Sequence, residues 1–277
     1  MTELPEFNDP ESFYIIDLSC WVHRFWHAAP SYAARNFAGM LEKIINLQGP
    51  ARLAIAEDNA WPTFRHELLQ EYKANRASKQ TNDERISKLE QLNKADAFAE
   101  DVYGVRRLWA KGFEADDVVA TLATWGAEEG LKVVIVATDK DFMQLVRPGV
   151  VMWDGKGPAL GIEHVQEKLG VSPVQVTDYL AIVGDKTDNL GGIRGIGEKG
   201  AQEILARFGR LDVALHVANE QGPETGANHP FFVSRPKLWA KLVASQPQVD
   251  LMRKLVRLVR DVPLPIESLD ELALPAS

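Results

Sequence analysis

Four short apolar runs in this chain each close on an aspartate. "SFYIID" ends at Asp17, "ARLAIAED" at Asp58, "KVVIVATD" at Asp139 and "GVVMWD" at Asp154. Each is rich in β-branched or aromatic residues, and helical patterns lie between them. Such alternation restricts the chain to the α/β class, with a mostly parallel central sheet flanked by helices. In sheets of this kind the functional crevice lies beyond the carboxyl ends of the strands. Asp17, Asp58 and Asp139 are therefore expected there. Asp154 carries less weight, because "DGKGPALG" after it reads as a plain turn.

The rest of the chain has a different texture. From Phe64 to Trp109 it is polar and helix-favouring, with a break-prone "NRASKQTN" in the middle. This reads as two helices joined by a mobile connection, a solvated helical hairpin if taken alone. From Ile162 onward the pattern is helical throughout. The expected domains are residues 1–160 and 161–277. No apolar run reaches the ~18 residues of a membrane helix. "MTELPEFNDPES" lacks the basic-then-apolar pattern of a secretion signal. The single cysteine, Cys20, is expected as buried filler in a protein of the reducing cytoplasm. The formal net charge of −8 argues, by itself, against a nucleic-acid partner. Its distribution reverses that: residues 72–88 hold five Lys/Arg against two acids, and 235–260 hold seven against one.

The acids fall in a pattern. "FEADDVVATLA" puts Glu114, Asp116 and Asp117 at the start of an apolar helix. One or two would be ordinary capping, whereas three in four residues exceed what a cap requires. In "VATDKDF" Asp139 and Asp141 alternate, so both can face one side, although a turn would also favour aspartate there. In "GDKTDN" Asp185 and Asp188 are three apart, one face of a helical turn. With Asp17 and Asp58 these make nine carboxylates at strand ends or helix starts. Two carboxylates ~4 Å apart repel by ~4 kcal/mol at an effective dielectric of ~20. Nine together would exceed a domain's ~5–15 kcal/mol of stability unless protons or cations bind. An all-oxygen set calls for Mg²⁺ or Mn²⁺, and nine acids suit two ions. Two hard ions serve in-line displacement at phosphorus with no side-chain nucleophile. Rival chemistries are weaker: His23 and His27 lie four apart without an H-E-x-x-H, and neither G-x-S-x-G nor a P-loop occurs.

"LGGIRGIGEKGAQEIL" (190–205) has the spacing of a helix–hairpin–helix, or of a plain helical turn capped by glycines. Gly195 and Gly197 are expected to take unusual dihedrals, and the N–H groups before the second helix to hold a phosphate beside Arg194 and Lys199. Such a module positions DNA without reading its sequence. "EYKANR" adds Tyr72, Lys73 and Arg76. Lys73 is suited to neutralising a scissile phosphate and Tyr72 to stacking on an unpaired base.

Taken in order, "YIIDLSCWVHRFWHA", "TFRHELLQEYKANR", "FEADDVVATLA", "ATDKDFMQLV" and "DYLAIVGDKTDNLGGIRGIGEKGA" resemble the 5′–3′ exonuclease and flap endonuclease family. The likeness is to the N-terminal nuclease domain of bacterial DNA polymerase I and to stand-alone phage 5′ nucleases, and it runs from Phe13 to Leu272. It implies a PIN-like sheet, a helical arch at about 64–109, and a DNA-binding lobe with its hairpin at about 190–205. It implies a structure-selective nuclease acting on DNA with a 5′ flap, nick or 5′ overhang, in primer removal and repair. By that resemblance Asp17, Asp58, Glu114 and Asp116 group around one metal. Asp117, Asp139, Asp141 and Asp188 group around a second, with Asp185 nearby. Tyr72, Lys73 and Arg76 match substrate-engaging arch residues, and the Ile193 to Ile196 carbonyls match a potassium site. "AED" and "ATDKD" depart from the family's usual apolar-Phe-Asp and Gly-Asp-Lys-Asp without removing a carboxylate. A nucleoid-associated cytoplasmic monomer, coupled to synthesis through a separate DNA polymerase, is the expected setting. The alternatives are a catalytically silent junction-binding module and an RNA-directed nuclease on the same sheet.

Overall fold

In a computed structural model the described residues are 9–58, 62–77, 81–220 and 225–274, with the backbone alone at 76 and 77. Five strands form one sheet: β1 (Ser12–Asp17), β2 (Arg52–Ala56), β3 (Arg106–Leu108), β4 (Lys132–Val136) and β5 (Val150–Trp153). Their order is β3-β2-β1-β4-β5, and every neighbouring pair is parallel. All six residues of β1 are buried, as expected for a central strand covered on both faces. Side-chain alternation divides that burial. Tyr14 and Ile16 join Phe37, Leu41, Ile44, Leu53, Ile55 and Ala95 in one apolar cluster. Phe13 lies on the other face, beneath the helix Ala115–Glu128, where a Cβ on Gly126 would come within 2.9 Å of its ring.

The parallel register aligns the strand ends. Asp17 pairs with Ala56, and Ile16 with Val136. Asp58 and Asp139 follow their strands by two and three residues, beyond the expected strand ends. The expectation of carboxylates along one sheet edge is met by geometry that β1 sets.

The stretch 64–109 differs from the expected helical pair. It holds short helices at Phe64–Leu68 and Ala74–Ala77, a 22-residue helix Asn82–Tyr103, and then β3. Part of "NRASKQTN", at 78–80, lies outside the described residues. Thr81 and Glu84 close a capping box at the long helix's start, and Gly104, at φ 66°, ends it. That helix is not simply solvated. Lys88, Gln91, Ala95, Asp96 and Ala99 are buried, and Gln91 Oε1 accepts the Ala34 N–H at 3.0 Å. β3 escapes a sequence reading because it is three residues long and two are arginines.

The chain divides into two compact units. Residues up to Phe64, 81–163 and from Leu258 onward form the sheet unit, and 65–77 with 164–257 form the helical unit. This moves two pieces from the expected 1–160 and 161–277 division. Residues 65–77 group with the helices. The tail groups with the sheet because its backbone finds acceptors there: Leu258 N–H donates to Gln144 Oε1 at 3.1 Å, Val262 N–H to Thr121 Oγ1 at 3.1 Å, and Leu274 N–H to the Ala51 carbonyl at 3.1 Å. Among the described residues no helix is long and apolar enough to cross a membrane.

The helical unit contains Val176–Val183, Glu198–Phe208, Leu211–Asn219, Pro236–Ala244 and Gln246–Val256. It is not helical throughout, since Gly184–Asp185 pairs antiparallel with Leu190–Gly191. Arg65 is only 1% exposed within it. Its Nε donates to the Leu255 carbonyl at 2.8 Å and its Nη2 to the Arg257 carbonyl at 3.0 Å, capping the helix Gln246–Val256. Arg65→Met is expected to leave these carbonyls unsatisfied and lower stability by about 2–4 kcal/mol. Urea unfolding followed by tryptophan fluorescence measures this, and an unchanged midpoint contradicts the capping role.

Candidate functional site

Seven of the nine singled-out acids belong to the sheet unit, at the carboxyl edge of the strands or on the helix that starts there. Asp17 is 5% exposed and N-caps the helix Leu18–Ala28, where its Oδ1 accepts the Cys20 N–H at 2.9 Å. Asp58 Oδ1 accepts the Ala115 N–H at 3.0 Å, which brings Asp58 to the start of the helix carrying Asp116 and Asp117. Glu114 is that helix's N-cap, and its own N–H donates to Asp117 Oδ2 at 3.2 Å. Asp117 is fully buried, and its Oδ1 accepts the Val259 N–H at 2.9 Å. Asp116, one residue earlier, is half-exposed.

Asp139 and Asp141 do not alternate along a strand. β4 has ended, and Asp139 N-caps the 3₁₀ turn Lys140–Leu145 by accepting the Asp141 N–H at 3.0 Å. The turn alternative thus holds here. Except for Val259, these backbone donors stand within a few residues of each carboxylate, or at a neighbouring helix start. Each such bond offsets part of the carboxylate's negative charge. Among the described residues no three of Asp, Glu, His and Cys are grouped so as to hold an ion as placed.

Cys20 is half-buried at this edge rather than core filler. Its Sγ lies 3.3 Å from Thr138 Oγ1. Burial, with the Asp17 charge second, pushes its thiol up to about 11. Glu57, beside Asp58, was not singled out in the sequence. Burial foremost raises its pKa, against the opposing Arg107 charge. Arg107 Nη1 lies 3.3 Å from Glu57 and 2.5 Å from Asp96. The doubled acid in "AED" was the available signal.

Asp185 and Asp188 belong to the helical unit, on the reversal between Gly184–Asp185 and Leu190–Gly191 and not on a helical turn. Two glycines make that reversal possible. A Cβ on Gly184, at φ 81°, would fall 2.3 Å from Gly192 N, and one on Gly192 would fall 2.2 Å from the Ile182 carbonyl oxygen. Such contacts are with backbone and cannot relax, so these positions exclude any side chain. Asp185 Oδ1 accepts the Thr187 N–H at 2.6 Å. Asp188 Oδ2 accepts the Tyr72 hydroxyl at 3.1 Å and has Lys73 Nζ at 3.8 Å. Tyr72 is 3% exposed, so stacking on a base requires it to leave this contact. The Arg76 side chain lies outside the described residues.

In the hairpin, Gly195 has φ 79°, whereas Gly197, the N-cap of Glu198–Phe208, has φ −96° and ψ −169°. Only Gly195 takes a dihedral reserved for glycine; Gly197 has ordinary extended backbone. Ile193, Ile196, Ala201, Ile204 and Leu205 are buried and anchor the turn, while Arg194 and Lys199 are exposed. Lys241 Nζ donates to the Gly195 carbonyl at 2.6 Å, and the Ile193 carbonyl accepts the Ile196 N–H at 2.9 Å.

Two family models cover nearly all of this architecture. One, described as 5'-3' exonuclease, N-terminal resolvase-like domain, matches residues 12–170, and the other, 5'-3' exonuclease, C-terminal SAM fold, matches 171–276. The chain belongs to the 5′-3′ exonuclease family. It is accordingly an enzyme of the hydrolase class. This family member is 34% identical over 282 residues to a DNA polymerase I of Rhizobium leguminosarum, with 95% of this chain and 26% of that protein covered. It is 37% identical over 237 residues to one of Mycobacterium bovis, with 84% and 24% covered. The chain thus spans about a quarter of the length of the curated relatives it matches. In fold it is similar to the T5 5'-exonuclease solved with zinc bound, at a TM-score of 0.74, 22% identity and 89% coverage of both chains. It is also similar to the Rad2 catalytic core solved with a DNA substrate, at a TM-score of 0.57 and 18% identity, covering 91% of this chain and 79% of that one.

Asp117 holds two backbone N–H groups, those of Glu114 and Val259. Asp117→Ala is expected to cost about 2–3 kcal/mol of stability by orphaning these donors. An unchanged urea midpoint contradicts this assignment.

Proposed function

We propose that this exonuclease-family chain hydrolyses DNA phosphodiesters at 5′ ends and 5′ flaps with two divalent ions, in primer removal and repair. The supporting observation is the row of carboxylates at one sheet edge: three parallel strands and one helix start deliver seven, with no histidine among them. That donor set is all oxygen and fits Mg²⁺ or Mn²⁺. Each carboxylate has about four lone-pair sites, so one backbone N–H per oxygen leaves capacity for an ion. When bound, such ions supply acidity to the attacking water and charge neutralisation to the leaving oxygen. Asp17, Asp58, Glu114 and Asp116 would hold the first; Asp117, Asp139, Asp141 and Asp188 the second, with Asp185 as a nearby acid. Lys73 then carries a cation for the scissile phosphate, with Arg76 and Tyr72 as its companions. The substrates are DNA with a 5′ flap, nick or 5′ overhang, and the natural collaborator is a DNA polymerase. Zinc is bound in the T5 structure and DNA in the Rad2 structure, which lends support to both halves of this reading.

The hairpin presents the N–H groups ahead of Glu198–Phe208, with exposed Arg194 and Lys199, to a backbone phosphate. The residues present do not fit the potassium ion of the family. The Gly195 carbonyl, inside the run from Ile193 to Ile196, already takes the Lys241 ammonium, a cation in the ion's place.

A labelled 5′-flap duplex incubated with Mg²⁺ should be cut near the junction, and chelator should abolish cleavage. Asp139→Asn should slow single-turnover cleavage by at least ~100-fold while leaving DNA affinity within about twofold. Cleavage at the unmodified rate rejects the two-ion assignment, and binding without cleavage by the unmodified chain favours a silent junction module. A parallel RNA flap tests the RNA-directed reading. DNA affinity should fall steeply with total salt, and at equal ionic strength should be the same in KCl and NaCl. Selective tightening by potassium, followed by fluorescence anisotropy, contradicts the hairpin reading.

A further inference from the structure

Among the described residues only two that are not glycine take a left-handed backbone: Lys73, at φ 55°, and Asn189, at φ 59°. Asparagine tolerates that conformation; lysine does so at a cost, so something must hold Lys73 there. The two positions belong to segments more than a hundred residues apart, and both lie in the helical unit. Their contacts run antiparallel. Asn189 Nδ2 donates to the Glu71 carbonyl at 2.8 Å. Lys73 N–H donates to the Asp188 carbonyl at 3.0 Å. Asn75 Nδ2 donates to the Lys186 carbonyl at 2.8 Å. The two amides thus close either end of a short clamp. Between them Lys73 Nζ lies 3.8 Å from Asp188 Oδ2 and 4.9 Å from the Tyr72 ring centroid, and the Tyr72 hydroxyl donates to the same oxygen.

We propose that Asn75 and Asn189 are positioning residues, whose paired side-chain amides hold left-handed Lys73 in register with Asp188 so that ammonium and carboxylate act as one unit. This rests on the nuclease reading above. Neither asparagine needs to touch substrate. Each acts through the segment that carries Lys73 or Asp188. A lysine free to swing by an ångström would lose most of its value to the reaction while still drawing DNA electrostatically.

The test is a double-mutant cycle on the full chain with the Mg²⁺ flap assay. Asn189→Gly keeps the left-handed backbone and removes only the amide; Asn75→Ala removes the other. Each is expected to slow single-turnover cleavage ~10–100-fold with DNA affinity within about twofold. In a Lys73→Ala background the same changes should cost almost nothing more, because the group they position is gone. Hydrogen exchange should quicken at backbone 71–75 in both variants and stay unchanged in β1 and β4. Losses that multiply with Lys73→Ala, or an unmodified rate together with unmodified exchange, overturn the clamp while the nuclease reading stands. No cleavage by the unmodified chain overturns the nuclease reading, and unquickened exchange at 71–75 then overturns the clamp separately.

Discussion

Negative charge crowded at the end of a parallel sheet is the constraint from which the sheet unit's other features follow. Three strands and one helix start bring seven carboxylates to a single edge, four of them as helix caps or partners of caps. Capping makes those four tolerable locally, since backbone N–H bonds offset a carboxylate's charge. Hard cations are the chemical complement of such an all-oxygen set. Asp117 shows how far this dual use goes. Fully buried, it ties the helix start to Val259 in the tail, so an acid proposed for the metal site also organises the fold.

The helical unit solves a different problem, which is to bring backbone close to backbone. Gly184 and Gly192 pack with no space for a Cβ, and the reversal they permit carries Asp185 and Asp188, both buried. Gly195 opens the hairpin that the resemblance associates with phosphate. Lys241 closes on its carbonyl, so a side-chain ammonium supplies positive charge at the turn. Segment 71–75 joins this unit through side-chain amides and a left-handed lysine as well as the buried Tyr72 ring. That explains why a polar stretch, unpromising as core, is nonetheless laced into a compact body.

Much of this was legible in the residues. Apolar runs ending on aspartate led to a parallel sheet, and "FEADD" led to a charged helix start. The hairpin's apolar positions are buried as their spacing implies. Other features resisted. β3 is too short and too basic to read as a strand, and its Arg107 is explained by Glu57 and Asp96 beside it. Asp185 and Asp188, three apart, look helical until the glycine approach at 184 and 192 forces a strand reversal. Tyr72 looks like an exposed platform until its hydroxyl is found on Asp188.

The sequence by itself determined the fold class, the edge that carries the acids and the family, because periodicity and residue type are local properties that each segment carries alone. Tertiary structure alone decided that Asp58 meets the Ala115 N–H, Asp117 the Val259 N–H and Asp188 the Tyr72 hydroxyl, where the tail returns, and that Lys73 and Asn189 share a left-handed backbone in one clamp. Those outcomes depend on contacts between residues far apart in the chain. No local pattern specifies them, since they exist only once the packed elements bring distant backbone groups within hydrogen-bonding reach.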